Sequence, residues 1–241
     1  MTAVTIQRLT EQLGTALQEH ADAKTRDWWE RYLKGEASFR GVKMAATRSV
    51  VKALVAQHHL RTTDADQMLA IARHWFAQPA SEDKLAAVLL LGEHCLDALT
   101  IDHLADLAAP LADGSVHDWN VCDWYCVKVL GPFITAGTDS AERARGIAAW
   151  AEVDHLWQRR AAAVAFVYHA AEEPEVFDGI TDVMLAVSST NAADERRWAQ
   201  TSVGWLLREL SRREPDLVTG FLDGHPHLSR EARTNASKYL T

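Results

Sequence analysis

The spacing of apolar residues constrains the fold most strongly, because they recur three and four positions apart along almost the whole chain. That spacing gathers apolar side chains on one face of an α-helix, whereas a half-buried strand would alternate apolar and polar residues. No stretch of this sequence alternates in that way for long. The pattern therefore predicts an all-α fold.

Short breaks separate the periodic segments, which allows the helix boundaries to be placed within a few residues. The predicted helices span residues 4–19, 24–34, 42–57, 64–77, 82–97, 101–112, 117–134, 140–152, 155–171, 174–188, 192–213, 215–222 and 229–239. Helix-start residues support several of these boundaries, namely Thr63-Asp64, Ser81-Glu82-Asp83, Asp139-Ser140, Pro174, Pro215 and Ser229.

Many short helices could form either a bundle or a solenoid of helix pairs. The pairs recur at roughly 35–40 residues, near the spacing of HEAT-type repeats. We therefore expect a HEAT-like helical-repeat solenoid of antiparallel helix pairs, with residues 1–241 as a single domain. Such a stack offers a concave binding face without a deep pocket.

Composition limits the possible functions. The formal net charge is −8, which argues against non-specific coating of DNA but not against a local basic groove. The N-terminus has no basic start followed by an apolar block, and no apolar run approaches the length of a membrane span, so we expect a cytoplasmic protein with no membrane partner. The three cysteines contain no CxxC pair, which indicates core thiols rather than disulfides.

Motifs for other chemistries are missing from the sequence. The histidines have no ligand spacing such as HExxH, and Cys122, Asp123, Cys126 and His117 would be spread around a helix axis, so we expect no metal site. GxSxG, the P-loop and the dinucleotide fingerprint are also missing, which argues against the hydrolase and nucleotide-binding sites that those motifs mark.

The segment RRWAQTSVGWLLREL, residues 196–210, has two distinct faces when read as a helix. One is an ordinary core face formed by Val203, Leu206, Leu207 and Leu210. The other places a tryptophan among cations and consists of Arg197, Thr201, Trp205, Arg208 and, just beyond the segment, Arg212. The second face is suited to an anionic partner.

A second segment, VHDWNVCDWYCVKVLGPF at residues 116–133, places Trp119 and Asp123 four residues apart, as neighbours on one helix face. A carboxylate on a mostly apolar helix needs a partner, an opening to solvent or a function. Two interpretations remain equal at this point. Asp123 either caps or ion-pairs a neighbouring helix, or it serves a reaction.

Two more segments carry cations beside aromatic rings. Arg159 and Arg160 begin an otherwise apolar helix, where a structural salt bridge is favoured over a role in a groove. Residues 26–54 interleave basic and aromatic residues as nucleic-acid surfaces do. Aromatic residues at helical spacing are more often part of the core, however, and this interpretation applies to Trp28, Trp29 and Phe39.

Together these segments resemble the AlkD family of DNA glycosylases, which are HEAT-like repeat proteins that remove alkylated bases. The resemblance rests on RYLK (31–34), FRGV (39–42), TRSVVK (47–52), WNVCD (119–123), LWQRRA (156–161), VGWLLRE (203–209), PDLV (215–218) and LSREA (228–232), which match in order across nearly the full length. The chain departs from the family at Asn120, where an acid is expected, and at Thr201, where a lysine is frequent.

The resemblance implies a role for each candidate residue. Asp123 would be the catalytic carboxylate, and Trp119 and Trp205 would be aromatic walls that touch the lesion-bearing nucleotide. The implied DNA-binding residues are Arg160, Arg208, Tyr32, Arg197, Arg212 and Thr201.

The implied reaction is hydrolysis of the N-glycosidic bond of cationic N3- or N7-alkylated purines in double-stranded DNA, without base flipping. The enzyme would be a bacterial monomer that needs no metal or cofactor and lies at the nucleoid when bound to DNA. Related proteins protect producers of DNA-alkylating antibiotics, so bulky natural-product adducts are included among the expected substrates. Two alternatives remain: a non-catalytic family member that binds branched or damaged DNA, and a HEAT-type protein-interaction scaffold.

Overall fold

The structure, a computed structural model, describes residues 3–171 and 176–240. Every regular element in these two ranges is helical, and a single isolated bridge pairs Ser38 with Ala80. The prediction of an all-α fold is confirmed. The helix start predicted at Pro174 lies outside the described residues.

The described residues form fifteen α-helices joined by short turns. They are α1 (Ala3–Gln18), α2 (Ala23–Tyr32), α3 (Met44–Gln57), α4 (Ala65–Phe76), α5 (Ser81–His94), α6 (Leu104–Ala112), α7 (Trp119–Tyr125), α8 (Gly131–Thr135), α9 (Ser140–Ala148), α10 (Leu156–Val164), α11 (Val167–Ala171), α12 (Ile180–Ala192), α13 (Arg197–Leu210), α14 (Pro215–Gly224) and α15 (Arg230–Ala236). Short 3₁₀ segments lie at Leu60–Thr62, Leu96–Ala98, Ile101–His103, Ala149–Glu152 and Ser237–Tyr239.

The helix predicted over residues 117–134 is interrupted in the structure. A π-helical segment, Cys126–Leu130, separates α7 from α8. Pro132 has no amide hydrogen, so the carbonyl of Lys128 cannot receive the usual bond from four residues later. Gly92 of α5 packs directly against the π-helical segment. A Cβ atom at position 92 would lie only 2.5 Å from the carbonyl oxygen of Lys128.

Other boundaries also differ from the prediction. Residues 155–171 form α10 and α11 rather than one helix. In the 192–213 segment, Ala192 ends α12 and α13 spans only Arg197–Leu210. Two predicted starts carry a side-chain cap, because Asp64 accepts a hydrogen bond from the amide of Gln67 and Ser229 from that of Ala232.

The chain divides into two compact units between Val129 and Leu130. In the first unit, α5 is buried along most of its length and lies against α1, α3, α4 and α7. In the second, α13 packs against α10, α11, α12, α14 and α15. The predicted core face of α13 is confirmed, since Val203, Leu206, Leu207 and Leu210 are all fully buried. A single domain over residues 1–241 remains a prediction.

The three cysteines, Cys95, Cys122 and Cys126, are buried and none forms a disulfide. Burial raises the pKa of the Cys95 thiol to about 11. Among the described helices, none has the length and apolar character needed to cross a membrane.

Candidate functional site

The first unit presents Trp119 and Asp123 on α7, one helical turn apart. Asp118 caps this helix, because its Oδ1 atom accepts a hydrogen bond from the amide of Val121 at 2.9 Å. Burial is the main effect on the Asp118 carboxyl and raises its pKa above the ordinary range. Trp119 and Asp123 are both partly exposed, while Cys122 faces the core. The helix therefore holds a carboxylate and an indole at an accessible surface.

Aromatic rings of α2 extend this surface. We use "α2 aromatic cluster" for Trp28, Trp29 and Tyr32. Trp28 stacks on Tyr32 with ring centroids 5.0 Å apart and planes 12° apart, and Trp29 meets both rings edge-on. Tyr32 in turn contacts Trp119 edge to face, at 5.8 Å between centroids. The predicted aromatic contact at Tyr32 thus adjoins the predicted site on α7.

The α2 aromatic cluster lies outside the hydrophobic core. Trp28 is 49% exposed and Tyr32 55% exposed, and no side chain of α2 is buried. Phe39, by contrast, is buried and stacks on Trp29 at 5.5 Å. The core interpretation is therefore correct for Phe39 and wrong for Trp28, which was not a predicted site residue.

Exposed cations flank the same rings. Lys24 precedes Trp28 by one helical turn and Arg31 follows it by three residues, and both are exposed. The signal for this surface was present in the sequence as the order Lys24, Trp28, Arg31, Tyr32 on one helical face. A mixed face of rings and cations can stack on bases and neutralise phosphates.

The second unit carries the predicted cationic face of α13, which remains at least partly exposed. Arg197 makes a bidentate ion pair with Glu231 of α15, with both nitrogen–oxygen distances at 2.8 Å. Its guanidinium also lies 4.4 Å from the ring centroid of Trp198. Hydrogen bonding from Arg197 lowers the pKa of Glu231. The arginine is thus oriented by a carboxylate while more than half of its side chain stays exposed.

Glu209 organises the other two arginines of this face. It accepts hydrogen bonds from Arg208, at 2.6 and 2.8 Å, and from Arg212, at 3.0 Å. The guanidinium of Arg208 lies 5.9 Å from the centroid of the partly exposed Trp205, and that of Arg212 lies 3.8 Å from the centroid of Tyr239. The predicted grouping of Trp205 with these cations is present in the structure.

Arg160 of α10 is buried and hydrogen-bonds to α13. Its Nη1 atom donates to the carbonyl of Trp198 at 3.0 Å and to the hydroxyl of Thr201 at 3.2 Å. Neighbouring Arg159 makes an ion pair with Asp194 at 3.1 Å. The structural salt bridge that the sequence favoured at Arg160 remains a prediction. The contact of Arg160 and Thr201 with DNA remains a prediction, and in this structure the two side chains bind each other.

The described residues contain no group of three or more histidine, cysteine, aspartate or glutamate side chains that could hold a metal ion.

Comparison with known proteins identifies relatives of this chain. The family model described as DNA alkylation repair enzyme matches residues 13–240. A solved structure from Enterococcus faecalis, described as a predicted DNA alkylation repair enzyme, superimposes with a TM-score of 0.77 at 17% identity, covering 92% of this chain and 97% of that one. A search of curated proteins finds no match.

A second solved structure is the alkylpurine DNA glycosylase AlkC of Pseudomonas fluorescens, bound to DNA that contains an abasic-site analogue. It superimposes with a TM-score of 0.53 at 16% identity, covering 99% of this chain but only 63% of that one. At these identities the two structures show a shared fold, while the family model spans nearly the whole sequence. The chain therefore belongs to the DNA alkylation repair enzyme family.

Proposed function

We propose that this protein is a DNA glycosylase of the AlkD type, which hydrolyses the N-glycosidic bond of cationic N3- or N7-alkylated purines in duplex DNA. The observation that carries the proposal is the partly exposed pair of Trp119 and Asp123 on α7, bordered by Tyr32. Membership of the alkylation repair family and the likeness to a DNA-bound alkylpurine glycosylase support the same activity.

The chemistry suits a site without a strong general acid. An N3- or N7-alkylated purine carries a positive charge and departs as a neutral base, so the leaving group needs little protonation. The sugar that remains has oxocarbenium character. A carboxylate held beside it stabilises the developing charge and orients the attacking water, which is the role we assign to Asp123.

Aromatic faces support this reaction electrostatically. The π face of Trp119 attracts a cationic base or the electron-poor sugar, at about 0.5–2 kcal/mol. The resemblance to the AlkD family implies the same role for Trp205. The exposed arginines of α13, Arg197 and Arg212, together with Arg208, would bind phosphates and position the strand without reading sequence. Such a site reacts at the duplex surface, so the base need not be flipped into a pocket and bulky natural-product adducts fit among the substrates.

The test is release of the alkylated base from duplex DNA that carries N7-methylguanine or an N3-alkyladenine, with chelator present. We expect release by the wild-type protein and a fall of about tenfold or more in Asp123→Asn, because the amide cannot balance the oxocarbenium charge. Asp102→Asn is the matched control, since this exposed aspartate lies in the same unit outside α7 and should leave the rate unchanged.

The outcomes separate the remaining functions. Equal release by wild type and Asp123→Asn would show that another group provides the charge. DNA binding without release from either lesion, or from a bulky adduct, would indicate a non-catalytic DNA-binding protein. A protein-interaction scaffold would show no salt-dependent DNA binding at all.

A further inference from the structure

Three consecutive charged side chains are buried in the first turn of α5. Glu82, Asp83 and Lys84 are 2%, 1% and 4% exposed, respectively. Burying a charge is costly unless partners replace the lost water, so each of these side chains must be satisfied locally. Their partners lie in different segments of the first unit.

Glu82 binds backbone rather than a side chain. Its Oε1 atom accepts hydrogen bonds from the amides of Gly41 and Val42 at 2.8 and 2.9 Å, and Oε2 accepts one from the amide of Arg40 at 2.9 Å. Asp83 binds the guanidinium of Arg40 at 2.7 and 3.1 Å. The loop at residues 39–42 is therefore fixed to α5 by five hydrogen bonds to two carboxylates.

That loop sets the beginning of α2. The amide of Asp22, the residue that caps α2, donates to the carbonyl of Gly41 at 3.1 Å. Gly41 has φ of +88°, and a Cβ there would lie 2.1 Å from the Asp22 carbonyl oxygen. Only glycine permits this approach. Glu82 thus binds the loop that hydrogen-bonds to the start of α2, the helix that carries Trp28 and Tyr32.

Lys84 reaches the segment before α7. Its Nζ atom donates to the carbonyls of Phe76, at 3.2 Å, and of Ser115. The amide of Ser115 is bound in turn by the side chain of Asp113 at 2.9 Å. Lys84 therefore ties the turn that leads into α7 to the core helix α5.

The cap of α7 completes this connection. Asp118 is fully buried, and its Oδ2 atom has no hydrogen-bond partner among the described residues. Burial raises the pKa of this carboxylate, and the hydrogen bond from the Val121 amide and the charges of His117 and Lys84 oppose the rise. One turn of α5 is thereby connected both to the start of α2 and to the start of α7.

We propose that Lys84 and Glu82 are positioning residues of the candidate active site, through which α5 sets the location of Asp123 and of the α2 aromatic cluster. The inference rests on the proposed glycosylase function for its kinetic consequence. It assigns neither residue a contact with substrate.

The test compares Lys84→Met with Lys128→Met, an exposed lysine in the segment that follows α7. We expect the single-turnover rate of base release to fall about tenfold in Lys84→Met while the Kd for lesion DNA changes by less than about twofold, because a small displacement of Asp123 affects the transition state more than phosphate binding. Lys128→Met should match the wild type in both quantities. A fall in rate accompanied by a comparable rise in Kd, or no change in rate, would overturn the proposal.

Amide hydrogen exchange without DNA provides an independent readout. We expect faster exchange at Val121 and Cys122 in Lys84→Met, and unchanged exchange there contradicts the proposed connection. This result decides the connection even if the wild-type protein releases no base, which would refute the proposed function alone.

If Lys84→Met does not fold, Asp118→Asn tests the same connection. The amide keeps the Oδ1 acceptor for Val121 but removes the negative charge that attracts Lys84. We expect the rate to fall about threefold with an unchanged Kd, since α7 stays capped but loses its electrostatic tie to α5. An unaltered rate overturns the proposal.

Discussion

The residues of the candidate site differ in how far the sequence could predict them. The helical spacing of Trp205 and Arg208 identified an accessible pair, because the apolar residues of α13 left only one direction for the core. The spacing could not predict that Arg160 is buried beneath Thr201. That contact depends on the packing of α10 against α13, which periodicity along one helix does not contain.

Trp28 differs from the sequence-based interpretation in the opposite direction, because a residue expected in the core is exposed. Tryptophan at helical spacing is more frequently a core residue, yet α2 contributes no buried side chain and Trp28 stacks on Tyr32 at the surface. The sequence contained the flanking cations, but it could not show that this face stays uncovered by the described helices.

We predict that Trp28→Ala weakens binding to duplex lesion DNA about fivefold, since burial of part of the indole against the DNA contributes about 1 kcal/mol. Fluorescence anisotropy with labelled DNA measures this change. The Tm should change little, because Trp28 lies outside the hydrophobic core. Tyr168→Ala is the control, an aromatic residue of the second unit that is 54% exposed. An unchanged Kd for Trp28→Ala would show that the α2 aromatic cluster does not touch DNA.

At the scale of helices, α13 depends on a close approach to α15. A Cβ at Gly204 would lie 2.6 Å from the carbonyl oxygen of Ala232 and 2.8 Å from its Cα atom. Both are backbone atoms, so the helices must separate to admit a methyl group. The sequence showed Gly204 between Val203 and Trp205 but could not show which helix crosses there.

We predict that Gly204→Ala lowers the free energy of unfolding by about 1–3 kcal/mol, which is typical of overpacking. Urea denaturation followed by circular dichroism measures the change. Gly220→Ala is the matched control, because this exposed glycine of α14 has open space around it and alanine favours helix by up to about 1 kcal/mol. Equal effects of the two substitutions would rule out the close contact as the cause.

The π segment illustrates why helix boundaries were less predictable than helices. Apolar spacing runs continuously through residues 117–134, so the pattern indicated one helix. The interruption at Cys126–Leu130 follows from one missing amide at Pro132 and from the space that Gly92 provides on α5. The first cause is visible in the sequence, whereas the second requires the fold.

At the scale of the whole molecule, a net charge of −8 opposes binding to DNA. The cations of α13 are available only in part, because carboxylates bind them. Glu231 keeps its charge under mildly acidic conditions, since the ion pair with Arg197 holds its pKa below the ordinary range. Local pairing and total charge are therefore two separate influences on DNA affinity.

We predict that Glu231→Gln binds duplex DNA more tightly, with a salt dependence of log K steeper by about one, because Arg197 becomes available to a phosphate. Because Glu231 is ionised throughout, the gain should persist from neutral to mildly acidic pH. Glu19→Gln makes the same change in net charge at an exposed position of the first unit. If Glu19→Gln gives the same gain, total charge rather than release of Arg197 is responsible.

The burial of the three thiols affects how this protein reacts with alkylating reagents. Reagents that alkylate purines also attack cysteine, and the attacking species is the thiolate. Cys122 and Cys126 are fully buried on either side of Asp123, and the raised pKa of Cys95 keeps that thiol protonated. An electrophile that alkylates DNA thus meets no accessible thiolate at these three positions, so we expect the cysteines of this protein to resist alkylation by such agents.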